Sequence, residues 1–103
     1  MVQELTADEL DEVFESDETW IIDFWADWCQ PCKVLAPRVE EASEEFEDIN
    51  FGKLDMEEYQ SAGGKYGVRA LPTLLMVKNG EEVARASGAM QKDKLFNWIQ
   101  NNS

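Results

Sequence analysis

One short apolar run limits the folds open to this chain more than any other feature. Residues 20–26 read Trp-Ile-Ile-Asp-Phe-Trp-Ala, a nearly continuous series of strand-forming side chains. Such a run is typical of a β-strand that is buried on both faces of a sheet. A helical pattern follows it and extends to about Asp48. The apolar face of this pattern contains Leu35, Val39, Ala42 and Phe46. The sequence therefore predicts an α/β fold with a buried central strand.

The rest of the chain alternates between helix and strand patterns. A first helix begins after Thr6, which can cap it, with Glu9 at the capping-box position. The further candidates are a strand at 49–56, a weak helix at 57–66, strands at 71–77 and 82–86 joined by the turn Asn79-Gly80, and a closing helix at 92–101. The predicted order is αβαβαββα, which favours a central mixed β-sheet flanked by helices on both faces.

The length of 103 residues suits a single domain, so we expect one domain over residues 1–103. No apolar run reaches the roughly 18 residues that span a bilayer. The first ten residues lack the basic start and the apolar stretch of a signal peptide. We therefore expect a cytoplasmic monomer that does not act at a membrane.

The charge is strongly negative and unevenly distributed. The formal net charge is −13, and 16 of the 22 acidic side chains lie in residues 1–48. Such a surface repels nucleic acid and anionic membranes, so neither is expected as a partner. A solubilising face, a basic partner and a high-salt cytoplasm each fit the excess of acid, and all three stay open as interpretations.

The two cysteines carry the clearest chemical signal. Cys29 and Cys32 enclose Gln30 and Pro31, and the chain has no histidine. In a reducing compartment such a pair is more often catalytic or metal-binding than structural. Zinc normally takes four ligands, mostly cysteine or histidine, and one chain supplies only two of these, so no metal is expected. A dimer that shares a site of four cysteines stays an alternative.

The position of this pair between a buried strand and a helix predicts its chemistry. Cys29 should lie at the helix N-terminus, where free N–H groups and the helix dipole stabilise a thiolate. Cys32 should then lie in the first turn, close enough to form a disulfide with Cys29. A thiolate attacks a substrate disulfide, and the second thiol resolves the resulting mixed disulfide.

The chain resembles the thioredoxin family along nearly its whole length. The matching segments are DFWADWCQPCK at 23–33, KYGV at 65–68, LPTL at 71–74, KNG at 78–80 and GA at 88–89. The resemblance implies the thioredoxin fold and a general protein-disulfide reductase that uses a Cys29–Cys32 dithiol–disulfide couple. It implies disulfide-containing protein substrates, a thioredoxin reductase as electron donor, no cofactor, and a role in electron transport and cell redox homeostasis.

The resemblance also implies roles for residues around the cysteines. Asp23 corresponds to the buried aspartate that assists proton transfer at Cys32 through water, and Lys53 to a lysine near that aspartate. The bond between Leu71 and Pro72 corresponds to a cis-proline bond in a loop that faces the cysteines. The implied substrate-binding rim comprises Trp28, Gln30, Pro31, Leu71, Pro72, Gly88 and Ala89.

Each of these residues also has a structural interpretation. Asp23 suits the end of a strand facing solvent, and Lys53 suits the surface of an edge strand. Trp28 suits a core position, and Pro72 suits the start of a strand.

Two positions depart from the family pattern. Gln30 stands where the family usually has glycine between the cysteines, and Gly63-Gly64 replaces helix formers. Residues between the cysteines influence the reduction potential of the pair. Gln30 is therefore compatible with a specialised thioredoxin-like or glutaredoxin-like oxidoreductase that has a narrow partner. A redox-independent binding subunit is the alternative from a different class of function.

Overall fold

A mixed sheet of five strands forms the centre of the computed structural model, which describes residues 1–103. The elements in chain order are β1 (Val2–Glu4), α1 (Ala7–Val13), β2 (Thr19–Trp25), α2 (Gln30–Glu45), β3 (Asn50–Asp55), α3 (Gln60–Lys65), β4 (Thr73–Lys78), β5 (Glu81–Ser87) and α4 (Lys92–Asn102). The strand order across the sheet is β1-β3-β2-β4-β5. The first three are mutually parallel, and the last two run antiparallel to their neighbours. None of the helices has the length and apolar character that crossing a bilayer requires.

The sheet separates two hydrophobic clusters. Members of the first are Ile21 of β2, Leu35 of α2 and Ile99 of α4. Members of the second are Ile22 of β2 and Leu10 of α1, with Ala62 of α3 packed against them. Successive residues of β2 thus enter different clusters, because side chains alternate between the faces of a strand. The predicted α/β fold, with a buried strand and helices on both faces, is confirmed.

The strand β1 is the one element that the sequence does not predict, so the order is βαβαβαββα rather than αβαβαββα. Its three residues pair with residues 51–53 of β3. A strand this short is stabilised by its partner rather than by local preference, so no periodic pattern marks it. The strand β4 begins at Thr73, two residues later than predicted, because Leu71 and Pro72 belong to the preceding loop.

The cap of α1 and the turn between β4 and β5 form as the sequence predicts. Thr6 caps α1 through its Oγ1, which accepts from the Glu9 N–H at 3.1 Å, and Glu9 Oε1 accepts from the Thr6 N–H at 2.8 Å. Asn79 and Gly80 have φ values of 53° and 80° in the turn between β4 and β5. A Cβ atom at Gly80 would lie 2.6 Å from the Phe14 carbonyl oxygen, so only glycine fits there.

The glycine pair in α3 has a packing reason at one position only. Gly63 is buried, and a Cβ atom there would overlap the thioether end of Met56. Gly64 has no other atom within 4 Å of the space a Cβ would take. The close contact with Met56 therefore accounts for Gly63, whereas nothing in the structure explains Gly64.

Candidate active site

The cysteine pair lies at the N-terminus of α2 and forms a disulfide. Cys29 is the N-cap residue, and its Sγ accepts a hydrogen bond from the Cys32 backbone N–H at 3.2 Å. Pro31 lies in the first turn, where its missing N–H removes no helical hydrogen bond. The predicted position of Cys29 is confirmed. In the reduced pair, the same N–H group and the helix dipole favour a thiolate at Cys29.

Asp23 is a buried carboxyl group in the middle of β2. The residue is only 3% exposed, and its Oδ1 has no hydrogen-bond partner. Burial raises the pKa of Asp23 from 3.8 to about 7, although the positive charge of Lys53 opposes part of this effect. The interpretation of Asp23 as a solvent-facing residue at a strand end is therefore wrong. A carboxyl group with this pKa can accept and release a proton near neutral pH.

A cavity of about 140 Å³ lies between Asp23 and the redox pair. It is lined by Asp23, Trp25, Asp27, Cys32, Lys33, Ala36 and Lys53. The volume is sufficient for a few water molecules, each of which occupies about 30 Å³ in the liquid. Cys32 lines this cavity and Cys29 does not, so the buried carboxyl group faces the second cysteine of the pair.

Lys53 lies on β3 directly opposite Asp23 in the parallel ladder. The strand β3 is flanked by β1 and β2, so the interpretation of Lys53 as an edge-strand lysine is wrong. Its Nζ lies 3.6 Å from Glu4 Oε1 and 5.6 Å from the ring centroid of Trp25. Glu4 is a neighbour that the sequence does not reveal, because the contact depends on the unpredicted strand β1.

One loop packs against the cluster that contains the disulfide, and a second loop is hydrogen-bonded to the first. The Leu71–Pro72 peptide bond is cis, as the resemblance implies, and Pro72 precedes β4 rather than starting it. Leu71 packs against the small cluster that contains both cysteines. The Gly88 N–H donates to the Pro72 carbonyl oxygen at 3.0 Å and so joins the two loops. Gly88 has a φ of 91° and open space where a side chain would lie.

The remaining residues of the implied rim differ in exposure. Trp28 is 69% exposed, which excludes the core interpretation. Gln30 and Pro31 are also exposed, whereas Ala89 is half-buried and packs against the first hydrophobic cluster.

Arg38 connects α2 to the loop that contains Gly88 and Ala89. Its Nη1 donates to the Met90 carbonyl oxygen at 2.7 Å. The sequence carries no signal for this contact, because the two residues are 52 positions apart and meet only through tertiary packing.

Comparisons with known proteins agree with this geometry. The thioredoxin family model matches residues 1–101. A thioredoxin of Rickettsia bellii is 41% identical over 93 residues, which cover 89% of each chain. Thioredoxin-1 of Saccharomyces cerevisiae is 45% identical over 84 residues, which cover 82% of each chain. Among solved structures, Fasciola hepatica thioredoxin aligns with a TM-score of 0.89 at 35% identity, over 99% of this chain and 100% of that one.

The likeness extends over the elements that build the site, including the strand with Asp23 and the helix that begins after Cys29. A close cysteine pair at a helix N-terminus is the arrangement that thiol–disulfide exchange requires. The chain belongs to the thioredoxin family, and it is a thiol–disulfide reductase with Cys29 and Cys32 as its cysteine pair.

Proposed function

We propose that the protein is a general protein-disulfide reductase of the cytoplasm, active as a monomer and a single domain, and recharged by a thioredoxin reductase. In this role it carries electrons to protein disulfides and contributes to cell redox homeostasis. The observation that carries the proposal is the asymmetry of the pair. Cys29 caps a helix, while Cys32 lines the cavity that holds the buried carboxyl group of Asp23.

The first step uses Cys29 as the nucleophile. Its thiolate attacks one sulfur of a substrate disulfide, the substrate S–S bond breaks, and the other substrate sulfur leaves as a thiolate that takes up a proton. A mixed disulfide then joins Cys29 to the substrate. The exposed ring of Trp28 and the backbone of Leu71 hold an extended substrate segment beside the new bond, in the manner of strand addition.

The second step uses Cys32 and Asp23. The Cys32 thiol passes its proton through the cavity to the Asp23 carboxylate, and the new thiolate attacks the Cys29 sulfur. The mixed disulfide breaks, the Cys29–Cys32 disulfide forms, and the second substrate sulfur leaves as a thiolate that takes up a proton from solvent. Asp23 then returns its proton to solvent through the cavity. Lys53 limits the accumulation of negative charge while the proton moves. A thioredoxin reductase then returns two electrons to the pair, and two protons complete the dithiol.

The shape of the rim supports a broad range of substrates. Gly88 leaves open space beside the cis-proline loop, since no other atom lies within 4 Å of where its Cβ would be. Gln30 and Pro31 are exposed and Ala89 is half-buried, whereas Pro72 is buried, so of these four only Gln30, Pro31 and Ala89 have surface to offer a substrate.

The reduction potential of the pair tests the direction of electron flow. We expect a value of about −270 mV, typical of a reductase, when the protein is equilibrated with glutathione or dithiothreitol. A value of about −120 mV would mean that the protein oxidises its partners. This measurement also determines whether Gln30 has moved the potential away from the family range.

A panel of unrelated disulfide proteins tests the breadth of the activity. We expect thioredoxin reductase and NADPH to drive reduction of most members through this protein, insulin included. Reduction of one member only would favour the narrow-partner alternative. The double variant Cys29→Ser/Cys32→Ser should lose the biological role entirely, whereas a redox-independent binding subunit would keep it.

A further inference from the structure

Three charged residues form a row across three neighbouring strands. In the parallel ladder, Glu4 of β1 is the partner of Lys53 of β3, which is in turn the partner of Asp23 of β2. Partners in a parallel ladder lie on the same face of the sheet, so all three side chains share one face. Side-chain exposure decreases along the row from 77% at Glu4 to 37% at Lys53, and Asp23 is 3% exposed.

In the ladder, Lys53 thus lies between two acidic residues of different accessibility. It forms an ion pair with Glu4 at 3.6 Å, while Asp23 Oδ1 has no hydrogen-bond partner. The outer side of Lys53 borders a second cavity of about 260 Å³, which Glu4, Asp55 and Glu58 also line. The charged groups on the Asp23 side are Asp27 and Lys33, which border the inner cavity.

An ammonium group that is drawn toward one carboxylate stabilises the other less, because attraction between charges falls with distance. The negative charge of Glu4 acts in the same direction, since it disfavours a second negative charge nearby. We propose that Glu4 is a positioning residue, which holds Lys53 toward solvent and thereby keeps Asp23 able to bind a proton near neutral pH. This inference rests on the proposed role of Asp23 as the proton acceptor for Cys32.

The direct test is the titration of the Asp23 carboxyl carbon, followed by NMR in the oxidised protein and its variants. We expect Glu4→Gln to lower the pKa of Asp23 by about half a pH unit or more, and Lys53→Met to raise it. In a Lys53→Met background, Glu4→Gln should lower the pKa of Asp23 by less than half as much as it does in the wild type, because the lysine through which Glu4 acts is gone. Glu58→Gln is the matched control, because it removes an exposed carboxylate from the same outer cavity without breaking the ion pair.

Three results would overturn the inference. One is an unchanged pKa of Asp23 in Glu4→Gln, and another is an equal change in Glu4→Gln and in the Glu58→Gln control. An equal effect of Glu4→Gln with and without Lys53 would also contradict the positioning role. Amide spectra of each variant verify that β1 still pairs with β3.

The pH profile of insulin reduction separates this inference from the proposed function. If both hold, the profile of Glu4→Gln moves toward lower pH by the same amount as the pKa of Asp23. If the pKa moves and the profile does not, the positioning of Lys53 by Glu4 stands, and the role of Asp23 as proton acceptor is wrong.

Discussion

Replacement of Asp23 by Asn tests whether the buried carboxyl group is costly to ionise. The two side chains have nearly the same shape, but the amide cannot lose a proton. The folded protein raises the pKa of Asp23 from 3.8 to about 7 because of burial, so the folded state holds this proton at pH values where the unfolded chain has lost it. The contribution of Asp23 to the free energy of unfolding therefore falls as the pH rises between these two values, and it is constant below and above them.

The size of the effect follows from the two pKa values. Each unit of difference corresponds to about 1.4 kcal/mol, so the free energy of unfolding of the wild type loses about 4 kcal/mol over this range because of Asp23 alone. The Asn variant lacks this loss. The difference in the free energy of unfolding between the variant and the wild type should therefore grow by about 4 kcal/mol from about pH 4 to about pH 8.

Denaturant melts of the oxidised proteins measure this difference, because no cysteine thiol titrates while the disulfide is intact. Any effect of the substitution that does not depend on pH cancels when the difference at about pH 8 is compared with the difference at about pH 4. Asp27→Asn removes an exposed carboxylate beside the same cavity, so it reports the effect of losing one negative charge near the site while the buried carboxyl group stays in place. A difference for Asp23→Asn that stays constant over the whole pH range would mean that the Asp23 carboxyl group ionises as readily in the folded protein as in the unfolded chain. Turnover at neutral pH should decrease in the same variant that gains stability.

Two further predictions concern the cysteines and α3. In the reduced protein, iodoacetamide should label Cys29 faster than Cys32, as peptide mass spectrometry can show, because Cys29 caps the helix; faster labelling of Cys32 would reverse the assignment. Gly64→Ala should raise the free energy of unfolding by about 1 kcal/mol, since the site is open and alanine favours a helix. Gly63→Ala should gain less or lose stability, because Met56 must move; equal effects in denaturant melts would contradict this packing argument.

Much of the fold could be predicted because its signals are local. The cap of α1 depends on Thr6 and Glu9, three positions apart, and the β4–β5 hairpin depends on the adjacent Asn79 and Gly80. In both cases the residues that interact are close in the sequence, so the structure can be predicted without knowledge of the tertiary fold. The strand β1 lacks such a signal, because its stability comes from pairing with β3, which lies about fifty residues away.

The site shows the same division between local and distant causes. The location of Cys29 follows from the order of a buried strand, the cysteine motif and a helix, all of which are contiguous in the sequence. The proximity of Asp23 and Lys53 is implied by the family resemblance, and the ladder between β2 and β3 supplies its geometry. The contacts of Glu4 and Arg38 depend on tertiary register, and no pattern in the sequence predicts them.

The mechanism assigns different roles to the two cysteines, and trapping of the mixed disulfide distinguishes the attacking thiol from the resolving one. Each single variant is reduced, mixed with a disulfide protein such as insulin, and analysed by mass spectrometry under non-reducing conditions. Cys32→Ser should accumulate an adduct through Cys29 at least about tenfold faster than Cys29→Ser accumulates one through Cys32. Equal rates, or a faster adduct through Cys32, would contradict the assignment of Cys29 as the attacking thiol.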